Sequence, residues 1–384
     1  MKEILPGAVI GILGGGQLGR MAAMEARRLG YGVVIYDPDP FCPAAAIADK
    51  HWIGGYDDID KLMDFAAAAD VLTYEFENIS SLALRKLEEE SLLFPSAAVL
   101  EICQHRVREK EFLSKRGFPT VSYKVVNRPE ELGSVAAELG FPSILKTAQL
   151  GYDGKGQVSL SSIEDCFLAW ENIGKPDVAL LEKRVELLAE FSVIIGRDHK
   201  KNVSFFPIPR NFHKKGILDF TIIPSGLGKR LEKEAMEIAF EIASALDLIG
   251  LLAVEFFLTE NEDILVNELA PRPHNSGHFS LDVCITSQFE QLLRIICNLP
   301  LGETTARCNG CMRNLLGDLW RGDNQPNWAE LLKLPGLKLH LYGKKQPRVG
   351  RKMGHYCIVG EKVEDILALD KQALQILENN LAQD

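Results

Sequence analysis

Near the amino end an apolar run, "VIGIL", passes through "GGGQLG" into a segment of helical periodicity, and no other stretch constrains the fold as much. Gly14, Gly16 and Gly19 satisfy G-x-G-x-x-G, while Leu18, Met21, Ala22, Ala26 and Leu29 recur at the spacing of one helix face. A strand led through glycines into a helix is the opening unit of a parallel α/β sheet. Backbone without side chains also lets the helix's amino end approach an anion with unpaired N–H groups, so a phosphorylated ligand fits here. Asp37 closes the next apolar run about 20 residues on, where a nicotinamide enzyme places its ribose carboxylate. On the turn alone a dinucleotide, another phosphorylated ligand and a bare tight turn all stay open.

The pattern that follows divides the chain. Strand-like runs "GAVIGIL", "GVVIYD", "DVLTYEF" and "SLLFP" alternate with helices after Gln17, Ile59 and Ser80, which predicts a doubly wound, Rossmann-like α/β domain over residues 1–100. "CQHRVREKEFLSKRGFP" reads as one helix stopped by Gly117 and Pro119, and the runs after it look antiparallel. An α+β domain is expected over 101–300, with helices near 130–139, 163–172 and 229–247. Residues 301–384 carry "LKLHLYGKKQPRVGRKMGHYCIV" and a last amphipathic helix, expected to form a small C-terminal module.

Composition removes several function classes. A net charge of -10 with no basic stripe argues against nucleic acid. No apolar run reaches the roughly 18 residues of a membrane span, and "MKEILPG" lacks a secretory signal's apolar core, so a cytoplasmic enzyme is expected. The 8 cysteines are scattered, as reduced thiols are. Cys308 and Cys311 make one C-x-x-C without the second pair that zinc would want.

Two stretches of the middle domain carry chemistry. "ILKTAQLGYDGKGQ" sets Lys146 at a strand end before a loop with Gly151, Gly154 and Gly156, able to fold over phosphates with its amides; G-x-x-x-x-G-K-[ST] is absent, so this is no P-loop. "LLAVEFFLTENEDILVNELAPRPHNSGH" reads as two strands about the turn "TENED", which brings Glu255 opposite Asn267 or Glu268. Paired carboxylates in an apolar hairpin are costly unless a cation neutralises them, and Mg²⁺ bridging ATP phosphates is the obvious agent, with Mn²⁺ as its substitute.

Lysine, glycine lid and strand-borne acids, in that order, resemble the ATP-grasp superfamily. "GGGQLGRM", "TYEFENI", "GYDGKGQ", "NELAPRPHNSGH" and "GRKMGH" together look like one branch of it, the 5-(carboxyamino)imidazole ribonucleotide synthetases of purine biosynthesis, over nearly the whole chain. The resemblance implies an ATP-grasp fold, ATP- and bicarbonate-dependent carboxylation of the amine of 5-aminoimidazole ribonucleotide through carboxyphosphate, and a homodimer. It also assigns residues. The nucleotide would meet Arg106, Lys146, the lid from Gly151 through Tyr152, Asp153, Gly154, Lys155, Gly156 and Gln157, the stretch Glu182, Lys183, Arg184 and Val185, and also Glu190, His213, Asn267 and Glu268. Metal would sit on Glu255 and Glu268. Arg272, His274 and Asn275 would surround bicarbonate and the amine, with Lys155 on the lid. Gln17, Leu18, Glu75, Tyr152, Lys344 and Arg351 would hold the ribonucleotide, so that the glycine turn serves a phosphoribosyl group and no dinucleotide. The family often has arginine where this chain has Lys155, and Lys345 stands beside Lys344 as a second candidate for the phosphate. A formate-dependent phosphoribosylglycinamide formyltransferase is the alternative within the superfamily, and a nicotinamide dehydrogenase the alternative outside it.

Overall fold

The computed structural model describes every residue except 150, 152–154, 321–324 and 380–384. Its first sheet is parallel, in the order β3-β2-β1-β4, from β1 (Val9–Leu13), β2 (Gly32–Tyr36), β3 (Lys50–Trp52) and β4 (Val71–Tyr74). Helices α1 (Gln17–Arg28), α2 (Ile59–Ala66) and α3 (Ser81–Glu90) return the chain between strands. The sequence reading foresees these helices but misses β3, and its "SLLFP" is no strand: only Leu93 bridges to Leu72. The run contributes Leu93 to the core under β4.

Where one helix is expected from Cys103 to Gly117 there are two, α4 (Ala97–Cys103) and α5 (Arg106–Lys115), because His105 breaks the run and caps α5 by accepting from the Arg108 amide. Next comes a four-stranded antiparallel sheet, order β5-β8-β6-β7, built from β5 (Tyr123–Val126), β6 (Ser143–Thr147), β7 (Gln157–Leu160) and β8 (Ala179–Lys183). Helices α6 (Leu132–Leu139) and α7 (Cys166–Asn172) close its own core around Leu145, Trp170 and Leu181.

All remaining strands join one nine-stranded sheet: β9 (Leu187–Arg197), β10 (Val203–Phe205), β11 (Arg210–Lys214), β12 (Ile217–Ile223), β13 (Gly250–Thr259), β14 (Ile264–Ala270), β15 (Asn309–Leu316), β16 (Leu337–Leu341) and β17 (Lys352–Gly360). Its order is β14-β13-β9-β11-β12-β15-β17-β16, with β10 against β9. The C-terminal strands therefore extend the central sheet instead of forming a sheet of their own, since β15 pairs with β12 from Phe220↔Arg313 to Ile223↔Gly310. Helices α8 (Lys229–Ala245), α9 (Ser280–Val283), α10 (Gln288–Ile296), α11 (Trp328–Leu331) and α12 (Val363–Asn379) cover it. The last is tied down by a buried network in which Arg313 on β15 holds Asp370 on α12 through two bonds of 2.8 and 2.6 Å.

Candidate active site

The glycine turn holds carboxylates of this chain. Gly14 has φ +98, a conformation glycine adopts freely, and a β-carbon on Gly16 or Gly19 would strike Glu75 or the Gly14 carbonyl. Into that space Glu75 extends from the end of β4, accepting from the amides of Gly16 and, at 2.6 Å, Gly19. Asp37 accepts from Gly15 at 2.7 Å. Burial lifts the Glu75 carboxyl above its ordinary value despite those two amides. Beside it Lys344 donates to Gln17 Oε1 at 2.7 Å, which brings the loop before β17 onto the first turn of α1. Leu18 is in the same turn and buried.

The second centre lies where the antiparallel sheet faces the central one. Glu255 and Glu268 are direct cross-strand partners, and a bulge after Glu255 leaves Asn267 as the extra residue, its Nδ2 3.4 Å from Glu255 Oε2. Burial works against the charge on Glu268, but Arg106, Lys146 and Arg272 outweigh it and hold its carboxyl low. Glu255 has less cationic help: burial and the Glu268 charge push it up to about 6. Arg106 donates from Nη1 to Glu268 at 3.2 Å and from Nη2 to the Gly151 carbonyl at 3.2 Å, joining the acids to the start of the glycine loop. In that loop Gly156 has φ +68 and Lys155 is exposed, while Tyr152, Asp153 and Gly154 lie outside the described residues. Gln157 opens β7 opposite Lys146.

Lys146 is committed to Glu182, which also meets Lys110 at 3.1 Å. Burial opposes ionisation of Glu182, yet the two ammonium groups bring its carboxyl down to about 2. Lys183, Arg184 and Val185 follow at the end of β8, leading to Glu190 on β9, whose carboxylate lies 2.9 Å from His213 Nδ1 on β11. Burial lowers His213, but Glu190 and Glu255 raise it further, leaving it above its ordinary value.

Beyond β14 the loop "PRPHNSGH" turns over the acids. Arg272 pairs with Glu77 at 2.7 Å, and His274 Nε2 lies 3.2 Å from Glu255 Oε1. Burial, with Arg272 and Lys352 nearby, holds His274 well below its usual value. Asn275 exchanges two amide hydrogen bonds with Asn314 on β15, at 3.0 and 2.7 Å, so its side chain faces the central sheet.

This geometry can be set against known proteins. Residues 8–104 match the ribonucleotide synthetase preATP-grasp domain, 111–289 the ATP-grasp domain, and 310–369 the phosphoribosylaminoimidazole carboxylase C-terminal domain. An N5-carboxyaminoimidazole ribonucleotide synthase of Brucella melitensis is 43% identical, covering 92% of this chain and 96% of its own; that of Bacillus subtilis is 42% identical, covering 92% of each. The chain belongs to the N5-carboxyaminoimidazole ribonucleotide synthase family. Among solved structures, an ADP complex of an N5-carboxyaminoimidazole ribonucleotide synthetase superposes with a TM-score of 0.93 at 41% identity, covering 99% of both chains. An Aspergillus clavatus enzyme in complex with ADP and 5-aminoimidazole ribonucleotide gives 0.89 at 30%, covering 98% of this chain and 100% of that one.

As a member of this synthase family the chain is an ATP-dependent ligase of purine biosynthesis with the ATP-grasp fold, and the formyltransferase and dehydrogenase alternatives fall away. Among the described residues no helix is long and apolar enough to cross a membrane. Several charged residues packed against these two centres escape sequence reasoning. Lys110 is buried under the pocket on Thr120 Oγ1 (3.0 Å) and the Asn267 carbonyl (2.9 Å), and Glu109 beside it accepts from the Leu269 amide at 2.9 Å. Burial and Glu268 push Glu109 up to about 8. The signal was there: α5 offers only Val107, Phe112 and Leu113 as apolar side chains, so no face of it packs without burying charge. Lys352, opening β17, adds positive potential at His213, His274 and His278.

Proposed function

We propose that the two centres are the two halves of one carboxylation site, with ATP and bicarbonate between the sheets and the phosphoribosyl group of 5-aminoimidazole ribonucleotide on the glycine turn. The observation carrying this reading is the direct pairing of Glu255 with Glu268 beneath Arg106 and Lys146. Two facing carboxylates, one held ionised by cations and the other lifted by burial and its neighbour's charge, are a donor set suited to Mg²⁺ or Mn²⁺, which take few protein carboxylates and complete their shell from phosphate and water. When bound, such an ion would neutralise charge on the β- and γ-phosphates.

The chain's own residues do the rest. A bicarbonate oxygen takes the γ-phosphoryl as its bond to ADP breaks, giving carboxyphosphate; the amine nitrogen then bonds to the carboxyl carbon as the C–O bond to inorganic phosphate breaks, either in one step or after phosphate leaves CO₂ behind in the closed site, and the nitrogen gives up a proton that the departing phosphate can take. The work is positioning and charge neutralisation. Arg106 and Lys146 face the transferring phosphate, with Gly151, Lys155, Gly156 and Gln157 of the glycine loop contributing to its binding. Adenine lies along the backbone of Glu182, Lys183, Arg184 and Val185, with the ribose at Glu190 and His213. Arg272 and His274 border the bicarbonate, and Asn275 sets their loop through Asn314. Lys344 and Arg351, with the amides of Gln17 and Leu18, take the ribonucleotide phosphate, and Glu75 holds the turn open for it. The family reading also carries a homodimer in the cytoplasm, which sedimentation and cell fractionation would test.

The deciding experiment is phosphate release from ATP with bicarbonate and 5-aminoimidazole ribonucleotide each omitted in turn. Full turnover is expected only with both. Equal release with neither would sink the reading.

A further inference from the structure

The loop carrying His274 is tied to the sheet beneath it by a buried chain of hydrogen bonds that the chemistry above does not use. Thr221 Oγ1 donates to Asn211 Oδ1 at 3.3 Å, and Asn211 Nδ2 donates to Ser192 Oγ at 3.2 Å. The hydroxyls of Ser192 and Ser276 lie 2.7 Å apart, and Ser276 Oγ lies 2.8 Å from His274 Nδ1. Thr221, Ser192 and Ser276 have no exposed surface and Asn211 has 3%. Three strands, β9, β11 and β12, and a loop are thus joined by side chains that have no water to bond with instead.

One link fixes the direction of all the others. The backbone N–H of Ser276 donates to His274 Nδ1 at 3.3 Å. An N–H cannot donate to another N–H, so Nδ1 carries no proton. The Ser276 hydroxyl must then donate to Nδ1 as well, which spends its only hydrogen. Ser192 must donate to Ser276, and it accepts in turn from Asn211, whose amide is oriented by Thr221. The ring proton is left on Nε2, facing Glu255 Oε1 at 3.2 Å.

We propose that this one-way chain locks His274 as a neutral Nε2–H donor toward the bicarbonate pocket, with Ser276, Ser192 and Asn211 as positioning residues. The inference rests on the function proposed above. A ring so held presents a preorganised N–H to an oxyanion of bicarbonate or carboxyphosphate. It is no acceptor for the amine's proton at Nε2.

The test begins with the intact enzyme labelled with ¹⁵N-histidine, His274 being identified by the signal lost in His274→Gln. Long-range ¹H–¹⁵N correlations should show the Nε2–H tautomer with an unprotonated Nδ1. An Nδ1–H or doubly protonated ring in the active wild type would overturn the proposal. Asn211→Asp replaces a donor by an acceptor of the same shape, which draws the Ser192 hydrogen away and reverses the chain. It should lower kcat roughly tenfold to a hundredfold, the range found for residues that orient a site's ligands, with KM for ATP little changed, Nδ1–H signal appearing, and a melting temperature lowered by the buried carboxylate. Ser192→Ala, a smaller change should Asn211→Asp not fold, should lower kcat less and mix the tautomers. Loss of stability with the tautomer intact in both variants would mean a packing role only and overturn the positioning claim. Wild type that ignores bicarbonate and the ribonucleotide would instead fail the proposed function itself.

Discussion

Arg106 Nη1 stands 3.2 Å from Glu268 Oε2, and that pair spans α5 and β14, two elements separated by the whole antiparallel sheet in sequence. The guanidinium keeps Glu268 ionised while its other nitrogen holds the Gly151 carbonyl. An ionised acid is therefore ready at the mouth of the glycine loop before any cation or nucleotide arrives.

Glu268→Gln should leave the fold intact and lower ATP turnover by about a hundredfold or more, since it removes one of two charges proposed to hold the metal at the transferring phosphate. Phosphate release across a Mg²⁺ titration measures this. Near-normal turnover at ordinary Mg²⁺ would remove Glu268 from the metal site.

ADP should raise the melting temperature, by the equivalent of about 2.7 kcal/mol at a hundredfold excess over its dissociation constant, and NAD should not. The physical reason is local: Asp37 and Glu75 already occupy the amides of Gly15, Gly16 and Gly19, so a pyrophosphate there would displace two carboxylates. A saturable shift with NAD in a thermal scan would contradict it.

Glu182 makes stability depend on acid. Its carboxyl lies near 2 in the fold against an ordinary 4.5, so its contribution, about 3 kcal/mol, is fully present above pH 4.5 and lost as pH falls from there toward 2. Glu182→Gln should flatten that part of the acid-unfolding curve. At neutral pH it should also cost about 3–5 kcal/mol, because Lys110 and Lys146 lose their shared counter-charge. Chemical denaturation at several pH values measures both, and an unchanged acid slope would show that the pair does not govern it.

Arg351→Ala should raise KM for the ribonucleotide roughly 10- to 150-fold, the worth of a charge-assisted contact of about 1.5–3 kcal/mol, while KM for ATP moves far less. In this structure Arg351 donates to the Gln346 carbonyl at 2.9 Å, at the edge of the turn region reached by Lys344. Equal losses for both substrates would mean that Arg351 supports the loop rather than the phosphate.

What the sequence made legible follows from periodicity. The strand–turn–helix opening and the β13–β14 hairpin rest on local pattern, which sets Glu255 opposite Asn267 or Glu268; the bulge that fixes the partner as Glu268 is not written in that pattern. What stayed hidden depends on contacts between distant segments. β11 and β15 carry polar or mixed side chains that local pattern does not mark, yet they hold His213 and Asn314. The Glu75 carboxylate could be placed near the turn by motif, but not on its amides, because that geometry needs β4 and α1 together. The buried pairing of Lys110 with Glu182 likewise needs α5 and β8 together.

The union of β15, β16 and β17 with the central sheet bears on how the molecule comes apart. The acids on β13 and β14 and the cations around β17 belong to one hydrogen-bonded slab, whereas β5–β8 has its own small core around Leu145, Trp170 and Leu181. Cooperative units follow such boundaries. Calorimetry should accordingly resolve a minor early transition of the four-stranded sheet from the melting of the slab. Heat would then disarm the proposed nucleotide lid while the proposed ribonucleotide site still stands, so that inactivation precedes, and for a time remains reversible before, global unfolding.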